Sequence, residues 1–99
     1  STEAPKGPRV ADLLRWIEDS PARFLRNGQE HDGARAASHL RAKFVHSGAD
    51  VRTVDEFIER IASRSDASGE PYVVRMPDGT EKALADWLRA RLSEGAARR

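Results

Sequence analysis

The side chains able to do chemistry in this chain fall in three polar clusters that interrupt an otherwise regular helical pattern. They are Phe24-Leu25-Arg26-Asn27-Gly28, then Ser38-His39-Leu40-Arg41 with Lys43, and then Ala62-Ser63-Arg64-Ser65 leading to Ser68-Gly69-Glu70-Pro71-Tyr72. A helical core needs apolar residues at regular spacing and is indifferent to such clusters, so function is to be sought in them. Arg26 can grip a carboxylate or phosphate through two parallel N–H bonds, and a turn held by Gly28 exposes backbone amides beside it. Alternatively, Arg26 pairs with a helix acid such as Glu56 or Glu59 while Asn27 satisfies its own turn. His39 and Lys43 stand one helical turn apart, flanked by Arg35 and His46. An imidazole with an ordinary pKa of ~6.5 can serve there as general base or as anion donor, or can simply hydrogen-bond a loop carbonyl or serine hydroxyl. Tyr72 and Trp87 can stack a sugar or peptide, but both sit at periodic positions that suit a core.

Catalytic constellations are weak by comparison. Ser63, Ser65 or Ser68 could act as nucleophile for His39, with Asp66 or Asp32 orienting the imidazole. A hydrolase usually sets its serine on a strained turn, however, and no G-x-S-x-G elbow is present. His31, His39 and His46 do not have H-E-x-x-H spacing, and the glycines form neither kind of phosphate loop. Cysteine is absent, which removes thiolate metal sites, disulfides and cysteine nucleophiles. No catalytic residue, cofactor or metal is therefore expected, and the ligand-binding candidates are Arg26, Asn27, His39, Lys43, Ser63 and Tyr72.

The elements that must position these residues follow from apolar spacing. Val10, Leu13, Leu14 and Ile17 trace one face of a helix that opens after Pro8 and closes at Ser20-Pro21. Phe24 to Gly28 reads as an extended segment ending in a turn, able to pair with a later strand. Asp32 caps a second helix running to about Val45 with Ala36, Ala37, Leu40 and Phe44 as its stripe, and Gly48 stops it. Thr53-Val54-Asp55-Glu56 is a capping box that starts a third helix through Val54, Phe57, Ile58 and Ile61. Ser63 to Gly69 reads as a loop, because small polar side chains compete for the backbone's own hydrogen bonds. Tyr72 to Met76 is strand-prone, Pro77-Asp78-Gly79 turns, and Thr80 to Lys82 can return as a hairpin. Leu84, Trp87, Leu88 and Leu92 form the face of a last helix. The expectation is a small, helix-dominated α+β single domain over residues 8–94, with about four helices and a short β-hairpin before the last. Residues 1–7 and 95–99 read as tails.

Size and charge set the remaining bounds. A chain of 99 residues supports one modest core. Its formal charge of +1 provides no global field for nucleic acid, although the segment from Ser20 to His46 carries a local excess of three positive charges. The acids Glu30, Asp32, Asp50, Asp55, Glu56 and Glu59 break any continuous basic stripe, so no nucleic-acid partner is expected. No apolar run approaches the ~20 residues of a membrane span.

Taken together, Phe24, Arg26, Asn27 and Gly28, then Ala37 to Arg41 with Lys43, then Thr53, Phe57, Ile58, Ala62, Ser63, Ser68, Gly69, Pro71 and Tyr72 resemble the YfeK-like family of small bacterial exported proteins, a family of unknown function. The resemblance implies that family's fold and a periplasmic or otherwise exported location after signal-peptide removal. It implies no reaction, cofactor or partner. The leading reading is a non-catalytic binding or interaction module of the cell envelope, with the six candidates lining a polar cleft between the second helix and the loop before the hairpin. Its partner is an unidentified envelope ligand or protein. The alternative is a small hydrolase using His39 as general base.

Overall fold

Four helices and four strands, the strands in two consecutive pairs, lie along residues 8–47 and 49–97, which the computed structural model describes. In chain order they are α1 (Val10–Asp19), β1 (Arg23–Arg26), β2 (Gln29–His31), α2 (Gly33–Ser47), α3 (Val54–Arg60), β3 (Val73–Arg75), β4 (Glu81–Ala83) and α4 (Leu84–Ala97). The helix-dominated α+β class is as the sequence implies. The expected hairpin before the last helix, β3–β4, is one half of a four-stranded antiparallel sheet in the order β2-β1-β3-β4. The other half is a second hairpin, β1–β2, formed around Asn27-Gly28.

That first hairpin follows from two backbone conformations. Asn27 and Gly28 both have positive φ, 52° and 78°, the pattern of the two-residue turn whose twist matches antiparallel strands. Arg26 is thereby set opposite Gln29, and Phe24 opposite His31. Pairing of β1 with β3 then places Phe24 beside Val74, as the extended reading of this segment allows. Since paired residues share a face, Phe24, Arg26, His31 and Val74 all point to the inner side of the sheet. On the outer side Glu30 bonds Arg23 at 2.9 Å and Arg75 at 3.4 Å, and Arg75 bonds Glu81 at 2.8 Å. Each of these exposed pairs contributes little, but together they cover that face with charge.

The core lies between the inner sheet face and the helices. Leu13, Leu14 and Ile17 of α1 meet Ala37 and Leu40 of α2, with Phe57, Ile58 and Ile61 of the α3 region and Leu84 and Leu88 of α4 completing it. Phe24 packs edge-on against Trp87, and the Arg91 guanidinium lies 5.1 Å from the Trp16 ring centroid and 5.6 Å from that of Trp87. Tyr72 and Trp87 are both buried, the core role that their periodic positions suggest.

Helix ends agree with the caps visible in the sequence. The Arg35 amide donates to the Asp32 carboxylate at 2.8 Å. At α3 the Glu56 amide donates to Thr53 Oγ1 while the Thr53 amide donates back to the Glu56 carboxylate. Backbone amides of Arg52 and then Thr53 hold the Glu56 carboxyl below its ordinary value. Replacing Thr53 by alanine leaves one of these donors bare, and urea unfolding is expected to show a loss of about 1 kcal/mol. The last helix continues to Ala97, past Gly95, where the sequence reads as a tail. One glycine costs a helix only about 1 kcal/mol and does not by itself end it. The expected stop at Gly48 and the expected tail over residues 1–7 lie outside the described residues.

Candidate functional site

Where α2 crosses the inner face of the first hairpin, the packing leaves a cavity of about 190 Å³. Phe24 and Arg26 reach it from β1, and His31 from β2. Arg35, Ala36, His39 and Leu40 line it from α2, and Tyr72 and Leu84 complete the lining. The register explains the convergence. Arg26 lies two residues beyond buried Phe24 on the same sheet face, and His31 is Phe24's cross-strand partner. Arg35 and His39, four apart on α2, share one helix face.

The site is electropositive and only partly satisfied. The Arg26 Nε–H is buried and has no hydrogen-bond partner among the described residues. Neither Glu56 nor Glu59 pairs with Arg26, so the helix-acid alternative is not what holds it. The His39 ring packs edge-on to Tyr72, with centroids 6.4 Å apart. Burial, followed by the charges of Arg26, Lys43 and His31, holds the His39 pKa below the ordinary 6.5, with Asp66 opposing. These surroundings favour the neutral imidazole over the imidazolium.

Of the six candidates, Arg26, His39 and Tyr72 line the cavity, while Asn27, Lys43 and Ser63 do not. Asn27 shapes the β1–β2 turn, and its side-chain oxygen accepts from the Ser68 hydroxyl, tying that turn to the loop before β3. Ser63 donates to the Ile58 carbonyl at 2.8 Å and satisfies the end of α3. Lys43 donates to the carbonyls of Ile61 at 3.0 Å and Arg64 at 2.8 Å, and to Tyr72 Oη at 3.3 Å. These bonds hold the loop from Ser63 to Tyr72, which folds back on itself through Ser65 N–H to Glu70 O and Tyr72 N–H to Ser63 O. The cleft expected between the second helix and that loop is thus displaced toward the first hairpin, because Lys43 and Ser63 close the gap between those two elements.

His31 escapes a reading of the sequence as a site residue, because Gln29-Glu30-His31 is too polar to announce a strand. The signal that finds it is the Asn-Gly turn, which mirrors the alternation of β1 onto the residues that follow. The serines offered as nucleophiles are otherwise engaged. Ser63 bonds Ile58, buried Ser65 accepts from the Ala67 amide, and Ser68 donates to Asn27. No group of three or more histidine, aspartate and glutamate side chains among the described residues is arranged to hold a metal. No described helix is long and apolar enough to cross a membrane.

Comparison with known proteins adds kinship without an activity. The model of a family of unknown function, DUF5329, matches residues 4–96. Over 49 residues, 50% of this chain, the sequence is 41% identical to the uncharacterized protein YfeK of Salmonella typhimurium, and the aligned stretch covers 41% of that protein's own length. No solved structure matches.

Proposed function

The chain belongs to the family of unknown function DUF5329, and from that premise we propose that it is a non-catalytic binding module of the bacterial cell envelope, holding a small anion where Arg26 and His39 converge. The observation that carries this reading is the buried Nε–H of Arg26, a residue that lines the cavity, with no acceptor among the described residues. Leaving a buried donor unsatisfied costs about 1–3 kcal/mol, a cost that is removed when the guanidinium turns its Nε–H edge toward an anion in the cavity. Arg35, His31 and His39 add positive charge or N–H donors around the same space, and no acid lines it. The envelope setting is part of the proposal and rests only on what the sequence resemblance to the YfeK-like family implies. A non-catalytic role is supported by the engagement of Ser63, Ser65 and Ser68 with groups other than His39.

The test is a histidine-resolved NMR titration of the purified protein against acetate, inorganic phosphate and acidic sugars, repeated between pH 5 and 8. A bound anion favours the imidazolium, so the His39 pKa rises on saturation and affinity strengthens as pH falls toward 6. Without ligand the sign for stability is opposite. The folded pKa of His39 is depressed, so its contribution is fully present above about 6.5 and is lost as pH falls through the folded value. Saturable shifts at His39 and Arg26 with this pH dependence support the reading. Silence at both residues across the whole panel overturns it.

A further inference from the structure

The cavity's walls restrict the anion it can take. Phe24, Leu40, Leu84 and the Tyr72 ring form an apolar floor, whereas the charged and donor groups come from Arg26, Arg35, His31 and His39. A fully hydrated ion placed there loses water against apolar carbon and gains nothing from that part of the wall. A sugar needs acceptors as well as donors, yet no carboxylate or side-chain amide lines the space. Size is restrictive as well. An apolar cavity of about 150 Å³ accommodates benzene, so about 190 Å³ holds one ring or a short chain and its head group. A nucleotide or a peptidoglycan fragment is too large to be enclosed.

Resting on the anion-binding reading above, we propose that the ligand is a small amphipathic carboxylate, its head paired with the Arg26 guanidinium and its body, one ring or a chain of roughly six carbons, set on the Phe24–Leu40–Leu84 floor. The planar fork of arginine matches a carboxylate through two parallel bonds. His39 adds a further donor at the head, and Ala36, half-buried on α2, leaves the space that the body fills.

The experiment titrates the full chain with hexanoate, benzoate, acetate, inorganic phosphate and hexanol, reading amide and imidazole shifts. Each buried methylene strengthens binding about fourfold, so hexanoate is expected to bind at least ten times more tightly than acetate, with benzoate comparable to hexanoate. Ala36→Leu, which fills the space for the body, is expected to abolish the hexanoate advantage while acetate still shifts Arg26. Arg26→Met is expected to weaken hexanoate and acetate alike, with far-UV circular dichroism reporting that both variants fold. Phosphate or acetate binding as tightly as hexanoate overturns the amphipathic ligand and leaves the anion site standing. Hexanol equalling hexanoate overturns the paired head. No response to any of the anions overturns both readings.

Discussion

Gly33→Ala is expected to lower the midpoint of thermal unfolding by about 12 °C or more, although alanine is the better helix former by up to about 1 kcal/mol. The reason is space and not backbone conformation. A Cβ at position 33 would stand 2.2 Å from the Ile17 carbonyl oxygen, 2.9 Å from that of Glu18 and 3.1 Å from that of Ser20. All three are backbone atoms at the end of α1, and Ile17 is itself buried in the core. Relief therefore requires moving α1 away from α2, which opens the Leu13–Leu14–Ile17 face against Ala37 and Leu40. Overpacking of this kind costs about 3 kcal/mol or more when no side chain can yield. A domain near 100 residues loses roughly 4–8 °C per kcal/mol. Ser38→Ala, on the exposed side of the same helix, is the control and should shift the midpoint by no more than a degree or two. A neutral or stabilising Gly33→Ala would show that the two helices do not approach this closely, and with them the wall that α2 gives the cavity would be misplaced.

The contrast between Gly33 and the capping residues marks what the sequence makes legible. Asp32, Thr53 and Glu56 act within four residues of their own position, so local spacing alone identifies them. The stripes Leu13-Leu14-Ile17 and Phe57-Ile58-Ile61 are equally local, because one helix face repeats every three or four residues. Gly33 follows a helix cap and gives no such signal, since its necessity comes from a carbonyl sixteen residues earlier that reaches it only in the folded chain. The site divides in the same way. Arg35 and His39 share a helix face by spacing alone. Arg26 and His31 share a sheet face only once Asn27 and Gly28 set a two-residue turn. Residue type is a poorer guide than position, since Lys43 and Ser63 are polar and central in the chain, yet both are consumed in holding α3 and its following loop. A polar cluster thus advertises where hydrogen bonds are needed. It does not say whether the partner is a ligand or the protein's own backbone.

Lys43→Met tests that distinction, because methionine keeps the length of the chain and removes the donors. The Lys43 side chain is only 9% exposed, and its ammonium bonds one carbonyl at the end of α3, that of Ile61, and one in the following loop, that of Arg64, together with Tyr72 Oη. The contact with Asp66, at 3.4 Å to a carboxylate whose side chain is 74% exposed, adds little. The carbonyl of Ile61, the C-cap of α3, is left by the end of the helix without an intrahelical partner, and a positive charge is favourable there, while the carbonyl of Arg64 belongs to the loop that bridges to Pro71. Hydrogen bonds to a charged group are worth about 1.5–3 kcal/mol each, part of which is offset because the variant no longer desolvates an ammonium. A net loss of about 2–3 kcal/mol is expected in urea unfolding. Hydrogen exchange should quicken from Ser63 to Tyr72 before it does elsewhere, since that segment is what Lys43 holds. Lys43 is also among the charges that depress the His39 pKa, so the imidazole of the variant should titrate at higher pH than in the parent. A general loss of stability alone would not produce that upward shift. A change below about 0.5 kcal/mol, with unaltered exchange from Ser63 to Tyr72 and an unmoved imidazole, would return Lys43 to the candidates for ligand contact.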